Sequence, residues 1–345
     1  MSSDRLITID GSQGEGGGQI LRTALTLSLL TGRPFRIVKL RANRDKPGLR
    51  PQHLTAVESA ARLGGEAEGA RVGSRDLTFR PQPYSPRDML LDIGTAGSTA
   101  LVLHTLHLPI ALKAESPIRL TLEGGTFNYR APSYPFLAET WRWHMARMGL
   151  PIGLKMPSAG YYPRGGGKLE AWIEPGQPSA IVEVEKAPLS RIRVTAGTTN
   201  LAGRGIAERM NERVRERREE AGIEAEIEFV EAEWPGNGAG AAVAIVAEHG
   251  DRASTFVGLG ERGKAAEQVA DEAVEELLAF EASEGAIDPH SADQVLLPMA
   301  MAQGRSIFTV SEVTDHLRTQ AQVIPMFLDR SIRIEEVGTP RVIVG

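Results

Sequence analysis

The strongest constraint on the fold is a pattern that returns along the chain. Leu6 to Asp10 reads as a short strand, Gly11-Ser12-Gln13-Gly14-Glu15-Gly16-Gly17-Gly18 as a loop, and the apolar-rich segment from Gln19 to Leu30 as a helix. Thr31-Gly32 turns the chain. A strand then fits 34–39, a helix His53 to Leu63 closed by Gly64-Gly65, and paired strands 66–72 and 76–80. The same order resumes at Met89. Gly94-Thr95-Ala96-Gly97-Ser98-Thr99 leads into a helix over 100–112, a strand over 118–123, a helix over 134–148, and strands over 152–156 and 168–173. A third instance opens at Ala292-Asp293-Gln294 with a helix to Ala302. A strand over Ser306 to Val310, a helix over 319–328 and strands at 331–336 and 340–344 complete it, and its missing first part is expected within 181–198. The fold class is therefore α/β (α+β), with three repeated βαβαββ units forming a large domain over 1–188 and 286–345.

The intervening 189–285 reads as a small inserted α/β domain. A charged helix over Gly203 to Ala221 has a narrow apolar stripe at Ile206, Met210 and Val214, and a second helix over Glu261 to Phe280 is apolar at Val269, Ala273 and Leu277. Strands fit 191–196, 224–233, 241–248 and 253–259.

Composition removes several function classes. Of the 345 residues, 39 are basic and 44 acidic, a net charge of -5 that excludes a globally basic nucleic-acid coat but not a local phosphate site. With no cysteine, the chain has no disulfide, thiolate nucleophile or Cys-ligated metal. Met1-Ser2-Ser3-Asp4 lacks the basic and apolar segments of a signal peptide, and the apolar run at 20–30 is too short and polar for a span. The expectation is a cytoplasmic protein without membrane contact.

The loop from Asp10 to Arg22 brings backbone N–H groups together ahead of a helix N-terminus, a natural place for an anion. It matches neither the Walker pattern nor the dinucleotide fingerprint. Glu15 within it reads either as a divalent-cation ligand or as a solvent-facing turn acid, and Arg22 faces the same side of the helix as Gln19. Arg33, Arg36, Lys39, Arg41, Arg44, Lys46 and Arg50 stand against Asp45 alone. They read either as a phosphate-facing track or as a solvated basic face. Few aromatic residues interleave with them, so base stacking is not indicated in this stretch.

Later in the chain, His290, Asp293 and Gln294 begin a helix. They could meet a ribose or an ion, although an Asp at a helix start is also an ordinary cap. His316 falls in the polar segment Ser311 to Gln320, between a strand and a helix. There it is either a surface histidine or, if neutral and oriented, a nucleophile toward phosphate, with Arg318 placed to neutralise charge. His104 and His107 lie three apart within an apolar helix, a setting for core histidines rather than zinc ligands.

Taken together, these segments resemble the RNA 3'-terminal phosphate cyclase family. The likeness is carried by Asp10 through Arg22, by Arg41 through His53 with Lys46-Pro47-Gly48-Leu49, and by Gly94-Thr95-Ala96-Gly97-Ser98. Gly124-Gly125-Thr126, Gly160-Tyr161-Tyr162-Pro163-Arg164-Gly165-Gly166-Gly167, Ala292-Asp293-Gln294 and His316 extend it over nearly the whole chain. The resemblance implies the triplicated fold with its insertion. It also implies ATP as substrate with Mg²⁺ or another divalent cation, and a partner RNA bearing a 3'-terminal phosphate. In the chemistry it implies, His316 takes AMP from ATP and passes it to the RNA phosphate, and the neighbouring 2'-hydroxyl closes the ring and expels AMP. Carried over residue by residue, His316 is catalytic, and His104, His290, Asp293 and Gln294 bind nucleotide. Arg22, Arg41, Arg44 and Arg50 contact phosphate or RNA, and Glu15 serves the metal. His104 stands where the family usually has glutamine, and Gln320 where asparagine is common, which puts the preference for ATP over GTP in play. Two other readings share the architecture. One is a ribosome-assembly branch that lacks the histidine, and the other a carboxyvinyl transferase that needs none.

Overall fold

The computed structural model describes residues 6–14, 17–43 and 45–345, so the expectations for Glu15 and Arg44 fall outside the described residues. Four four-stranded sheets form. In the first, β1 (Ile7–Asp10) runs parallel to β2 (Phe35–Val38), β2 antiparallel to β4 (Leu77–Pro81), and β4 antiparallel to β3 (Gly65–Glu68). Helices α1 (Gly18–Thr31) and α2 (Pro51–Gly64) make the connections.

The second sheet repeats that order with β5 (Met89–Asp92), β6 (Ile118–Gly124), β8 (Gly167–Ile173) and β7 (Ile152–Ser158). Its connections are α3 (Thr99–Ala111) and a helical stretch made of α4 (Tyr134–Phe136), a π turn over Leu137–Trp141, and α5 (Arg142–Arg147). The third has β9 (Val182–Glu183) parallel to β14 (Ser306–Thr309), followed by β16 (Arg341–Val344) and β15 (Ile332–Glu335). Helices α8 (Pro289–Met301) and α9 (Asp315–Phe327) belong to it. Its first strand lies at 182–183, within the expected 181–198, while 189–198 goes to another sheet.

Strand alternation sets which face is buried. In β8, Gly167, Leu169, Ala171 and Ile173 point inward and the residues between them are only half-buried, the period-2 pattern of a sheet with one face on the core. The main core runs through all three sheets and includes Phe35, which meets Phe79 at 6.0 Å and Phe327 at 6.1 Å between ring centres.

The fourth sheet is ordered differently. β10 (Leu189–Thr199) lies between parallel β11 (Glu226–Glu233) and antiparallel β12 (Gly240–His249), with β13 (Arg252–Leu259) outermost. Helices α6 (Ile206–Glu220) and α7 (Ala266–Glu281) pack on one face and enclose a second core. β12 is buried on both faces. Ala241, Val243, Ile245 and Ala247 enter that second core, and Ala242 on the opposite side packs with Phe127, Ala159 and Tyr161. Small residues there let the fourth sheet approach the other three closely. Polar contacts complete the seam: Thr140 and Thr255 hydroxyls at 2.8 Å, Arg193 on Glu139 at 2.6 Å, and buried Glu183 accepting from Arg147 and Arg252 at 2.7 and 2.9 Å. No helix among the described residues is long and apolar enough to cross a membrane.

Candidate active site

Five helical segments each turn one face toward a small cavity of about 60 Å³. From α1 come Gln19, Arg22, Thr23 and Thr26, spaced i, i+3, i+4, i+7; α3 supplies Leu101, His104 and Leu108 on one stripe, with His107 beside them. The π turn and α5 add Trp141 and Met145, α8 adds Asp293, Gln294 and Leu297, and α9 adds Gln320.

At the rim, His316 Nδ1 stands 3.6 Å from Asp293 Oδ2. That exceeds a hydrogen bond but puts a carboxylate on the Nδ1 side of the ring. His316 is half-exposed and Asp293 buried. Asp293 is fixed by its neighbours: Gln19 Nε2 donates to Oδ2 at 2.7 Å and Gln294 Nε2 to Oδ1 at 3.1 Å. The sequence suggested a polar break around His316. In the structure α9 begins at Asp315, capped by Thr314, whose hydroxyl accepts from Leu317 N at 3.2 Å, so His316 lies in the first helical turn. Likewise Asp288, not Asp293, caps α8; its carboxylate accepts from Ser291 N at 2.9 Å, which leaves Asp293 a turn further on and facing the cavity.

Three polar atoms in the lining are buried without a hydrogen-bond partner: His104 Nε2, His107 Nε2 and Gln320 Oε1. Such atoms are costly unless something meets them. Both imidazoles pack on Trp141, at 4.7 and 4.9 Å. Burial, then the charges of Arg22 and His107, hold His104 down near pKa 3, and burial holds His107 there as well. Both rings are neutral at ordinary pH. Arg22 is lowered to about 10 by burial while Asp293 pulls it upward, so it keeps its charge.

A cationic corner adjoins the cavity. His53 is buried and lowered to about pKa 3 by burial first and then by Arg22, Arg41 and Arg50. Its Nδ1 accepts from Arg50 N–H at 3.1 Å, which places the neutral ring's proton on Nε2. Gly18 makes room for it: a Cβ there would come within 2.3 Å of His53 Nε2 and 2.9 Å of an Arg22 nitrogen. Gly14, at φ +56, does the same for the glycine loop against α9, since a Cβ would meet Thr319 Oγ1 at 2.2 Å.

The structure thus brings His316, Asp293, Gln294, His104 and Arg22 together, with Arg41 and Arg50 around His53 beside Arg22. His290 stands apart. Its exposed ring pairs with Glu276 at 3.1 Å, and that bond raises its pKa to about 9. The basic run does not form one continuous track, because the strand and its turns send successive side chains different ways. Arg33 donates to the Met326 and Phe327 carbonyls at the end of α9, Arg36 faces Asp76 at 3.9 Å, and Lys39 pairs with Asp10 at 2.9 Å. The Ser12 hydroxyl and then Lys39 hold Asp10 near pKa 2 and tie the strand end to its loop. Among the described residues no cluster of three or more His, Asp or Glu forms a metal cage.

Trp141, His107, Gln19 and His53 belong to the site without having been given a role in it from sequence, where His107 reads as a core histidine and Gln19 only as a neighbour of Arg22. His53 had one usable signal, as a histidine closing a basic run at a helix start.

Comparison with known proteins places the chain among its relatives. A family model described as RNA 3'-terminal phosphate cyclase matches residues 13–334. The RNA 3'-terminal phosphate cyclase of Pyrobaculum neutrophilum is 43% identical over 342 residues, covering 98% of this chain and 97% of its own. Those of Ralstonia nicotianae and Koribacter versatilis are each 42% identical, covering 95% and 96% of this chain and 93% and 92% of theirs. With a match running from the glycine loop through the helix of His316, the chain belongs to the RNA 3'-terminal phosphate cyclase family.

Proposed function

We propose that the protein converts an RNA 3'-terminal phosphate into a 2',3'-cyclic phosphate at the expense of ATP, through adenylate carried on His316. The observation that carries this reading is His316 Nδ1 at 3.6 Å from buried Asp293, at the mouth of a cavity with unmet polar atoms. A carboxylate on the Nδ1 side favours the tautomer whose lone pair lies on Nε2, the form needed for attack on phosphorus. Gln19 and Gln294 hold that carboxylate in place.

In the first step His316 forms a P–N bond to the α-phosphorus of ATP and pyrophosphate leaves. An oxygen of the RNA 3'-phosphate then displaces the histidine, giving an RNA–AMP anhydride. Finally the adjacent 2'-hydroxyl attacks the RNA phosphorus, loses its proton, and expels AMP. Neutral His104 and His107, with Gln320, offer hydrogen-bonding atoms to the nucleoside. Arg22 meets phosphate charge, and Arg41 and Arg50 around His53 form a basic corner for the second phosphate group. Glu15, which lies outside the described residues, is the ligand we assign to a divalent cation that would take most of its other ligands from water and phosphate oxygens. The cation would supply charge neutralisation on the triphosphate. His290, paired with Glu276 outside the cavity lining, is given no part in these steps.

The test is incubation with α-labelled ATP and Mg²⁺. Wild type should acquire acid-labile, alkali-stable label, and His316→Ala none; equal labelling of the two sinks the assignment. A 3'-phosphorylated oligoribonucleotide should then acquire a phosphatase-resistant end.

A further inference from the structure

Two glycine-rich segments, Gly124-Gly125-Thr126 and Gly160 to Gly167, line no part of the cavity. They meet each other in a buried contact, and each leads into an exposed turn, at 129–130 and 162–164. Thr126 N and Phe127 N both donate to Gly160 O, at 3.0 and 3.1 Å, and the Thr126 hydroxyl accepts from Gly160 N at 3.0 Å. Asn128 Nδ2 reaches Ala96 O at 2.6 Å, and Gly165 lies so close to Ala96 that a Cβ would sit 2.8 Å from its Cα. On the far side Ala159 N donates to Pro235 O at 2.6 Å and Arg164 to Asn237 O at 3.0 Å. Beneath them Phe127 and Tyr161 stack at 4.8 Å, with Trp234 4.9 Å from Phe127. Four loops are thus bound into one rigid base.

What this base presents outward is unusual for the molecule. Tyr129 and Tyr162 are 71% and 83% exposed, and the Arg130 guanidinium lies 5.3 Å from the Tyr129 ring centre. Segments 94–98, 124–133, 159–168 and 234–240 carry Arg130, Arg164 and Lys168 and no Asp or Glu, in a chain with 44 acidic residues. Lys168 is paired with flanking Glu123 at 3.8 Å, which leaves Arg130 and Arg164 beside the exposed rings, a surface that suits single-stranded nucleic acid, whose bases stack on aromatic faces while its phosphates meet arginine. The base is also tied to the helices that carry His104 and His53, since Thr99 N at the start of α3 donates to Gly125 O at 2.9 Å. The Gln52 side chain accepts from Ser98 N at 3.2 Å, and Gln52 precedes His53.

We propose that Tyr129 and Tyr162, flanked by Arg130 and Arg164, form a platform that stacks the unpaired nucleotides just upstream of the RNA 3'-phosphate. The platform rests on the RNA-end reading given above, and it deepens that reading by assigning where the substrate's body lies. Stacking of this kind is tolerant of sequence, so the platform selects single-stranded ends rather than particular bases.

The test compares a 3'-phosphorylated oligoribonucleotide of about ten residues with a 3'-phosphorylated dinucleotide, too short to reach across the platform. Binding of the longer RNA is read by fluorescence anisotropy without ATP, and cyclisation of both by steady-state kinetics. Tyr129→Ala/Tyr162→Ala should weaken binding of the longer RNA and raise its KM on the order of 10-fold or more, with kcat kept. KM for the dinucleotide and labelling by α-labelled ATP should stay at wild-type values, and Tyr129→Phe/Tyr162→Phe should restore the longer RNA. Unchanged binding of the longer RNA overturns the platform, as does an equal loss for both substrates. Failure of wild type to form a cyclic end, with RNA binding still lost in Tyr129→Ala/Tyr162→Ala, would refute the cyclase reading and leave the platform standing.

Discussion

The fourth sheet and the three-sheet body hold their charges in opposite ways. On α6 and α7 arginines and acids meet in pairs: Arg213 and Arg217 both grip Asp271, at 2.9 and 2.7 Å, Arg209 faces Glu267 at 3.4 Å, and Lys264 reaches Glu272 at 2.5 Å. Near the cavity of the body, Arg22, Arg41 and Arg50 instead converge on a neutral, buried imidazole. Paired charges are neutralised and serve the local fold. Cations gathered around a neutral group concentrate positive potential in one place, here with Asp293 beside Arg22. The contrast marks where a phosphate is expected and assigns α6 and α7 a structural part.

Four measurements bear on that contrast. The largest effect is expected from Phe256→Ala. Phe256 is fully buried in the second core and packs 5.8 Å from Phe280, and its removal should cost about 3–5 kcal/mol. We propose that 189–285 is a unit that opens apart from 1–188 and 286–345. Amide exchange in Phe256→Ala should then quicken across β10 to β13 while β6 and β8 stay protected; uniform loss of protection would make the chain one cooperative unit.

Next is Asp293→Asn, which keeps the shape but loses the charge beside His316. Adenylate labelling should slow on the order of 100-fold, about 2.7 kcal/mol, and loss of the buried charge that faces Arg22 should lower the melting temperature as well.

Asp271→Asn should lower stability by about 1 kcal/mol at neutral pH without touching adenylate transfer. Burial pushes the Asp271 carboxyl up, but hydrogen bonds from Arg213 and Arg217 outweigh it and its pKa is lowered. A carboxylate depressed in the folded state stabilises above its unfolded pKa, and the contribution fades as pH falls through the folded value. Wild type and Asp271→Asn should therefore converge in strongly acidic buffer, as read by denaturant unfolding.

Smallest is Glu276→Gln. The Glu276 hydrogen bond holds His290 at a pKa of about 9, so this pair stabilises below the ordinary histidine value and is lost as pH rises through 9. The variant should return His290 toward 6.5 in an NMR titration and differ from wild type in melting temperature at pH 6 but not at pH 10.

A second seam joins the two regions. Asp288, the cap of α8, also accepts from the Ser254 hydroxyl of β13 at 3.0 Å, so the helix carrying Asp293 and Gln294 is held partly by the fourth sheet.

Much of the fold was legible in the order of glycine turns, apolar periods and strand alternations. The α/β class follows from them, and helices expected at 100–112 and 134–148 lie close to α3 and to the α4-to-α5 stretch. Helix starts were less legible. Both α8 and α9 begin earlier than their apolar patterns suggest, because Asp288 and Thr314 cap polar first turns that carry no periodic signal. In those two turns sit His290 and His316.

By itself, the sequence determined the alternation of strands and helices, the lack of thiol chemistry, and the set of residues from which a phosphate site could be drawn. Tertiary structure decided which of them meet. Asp293 and His316 are separated by 23 positions, and Gln19 and Asp293 by 274. Only the packing of α1, α8 and α9 against one another makes one group from them. The same packing sends Arg33 to cap a helix and His290 to an acidic neighbour, because a side chain's direction depends on the element that carries it and on what lies opposite.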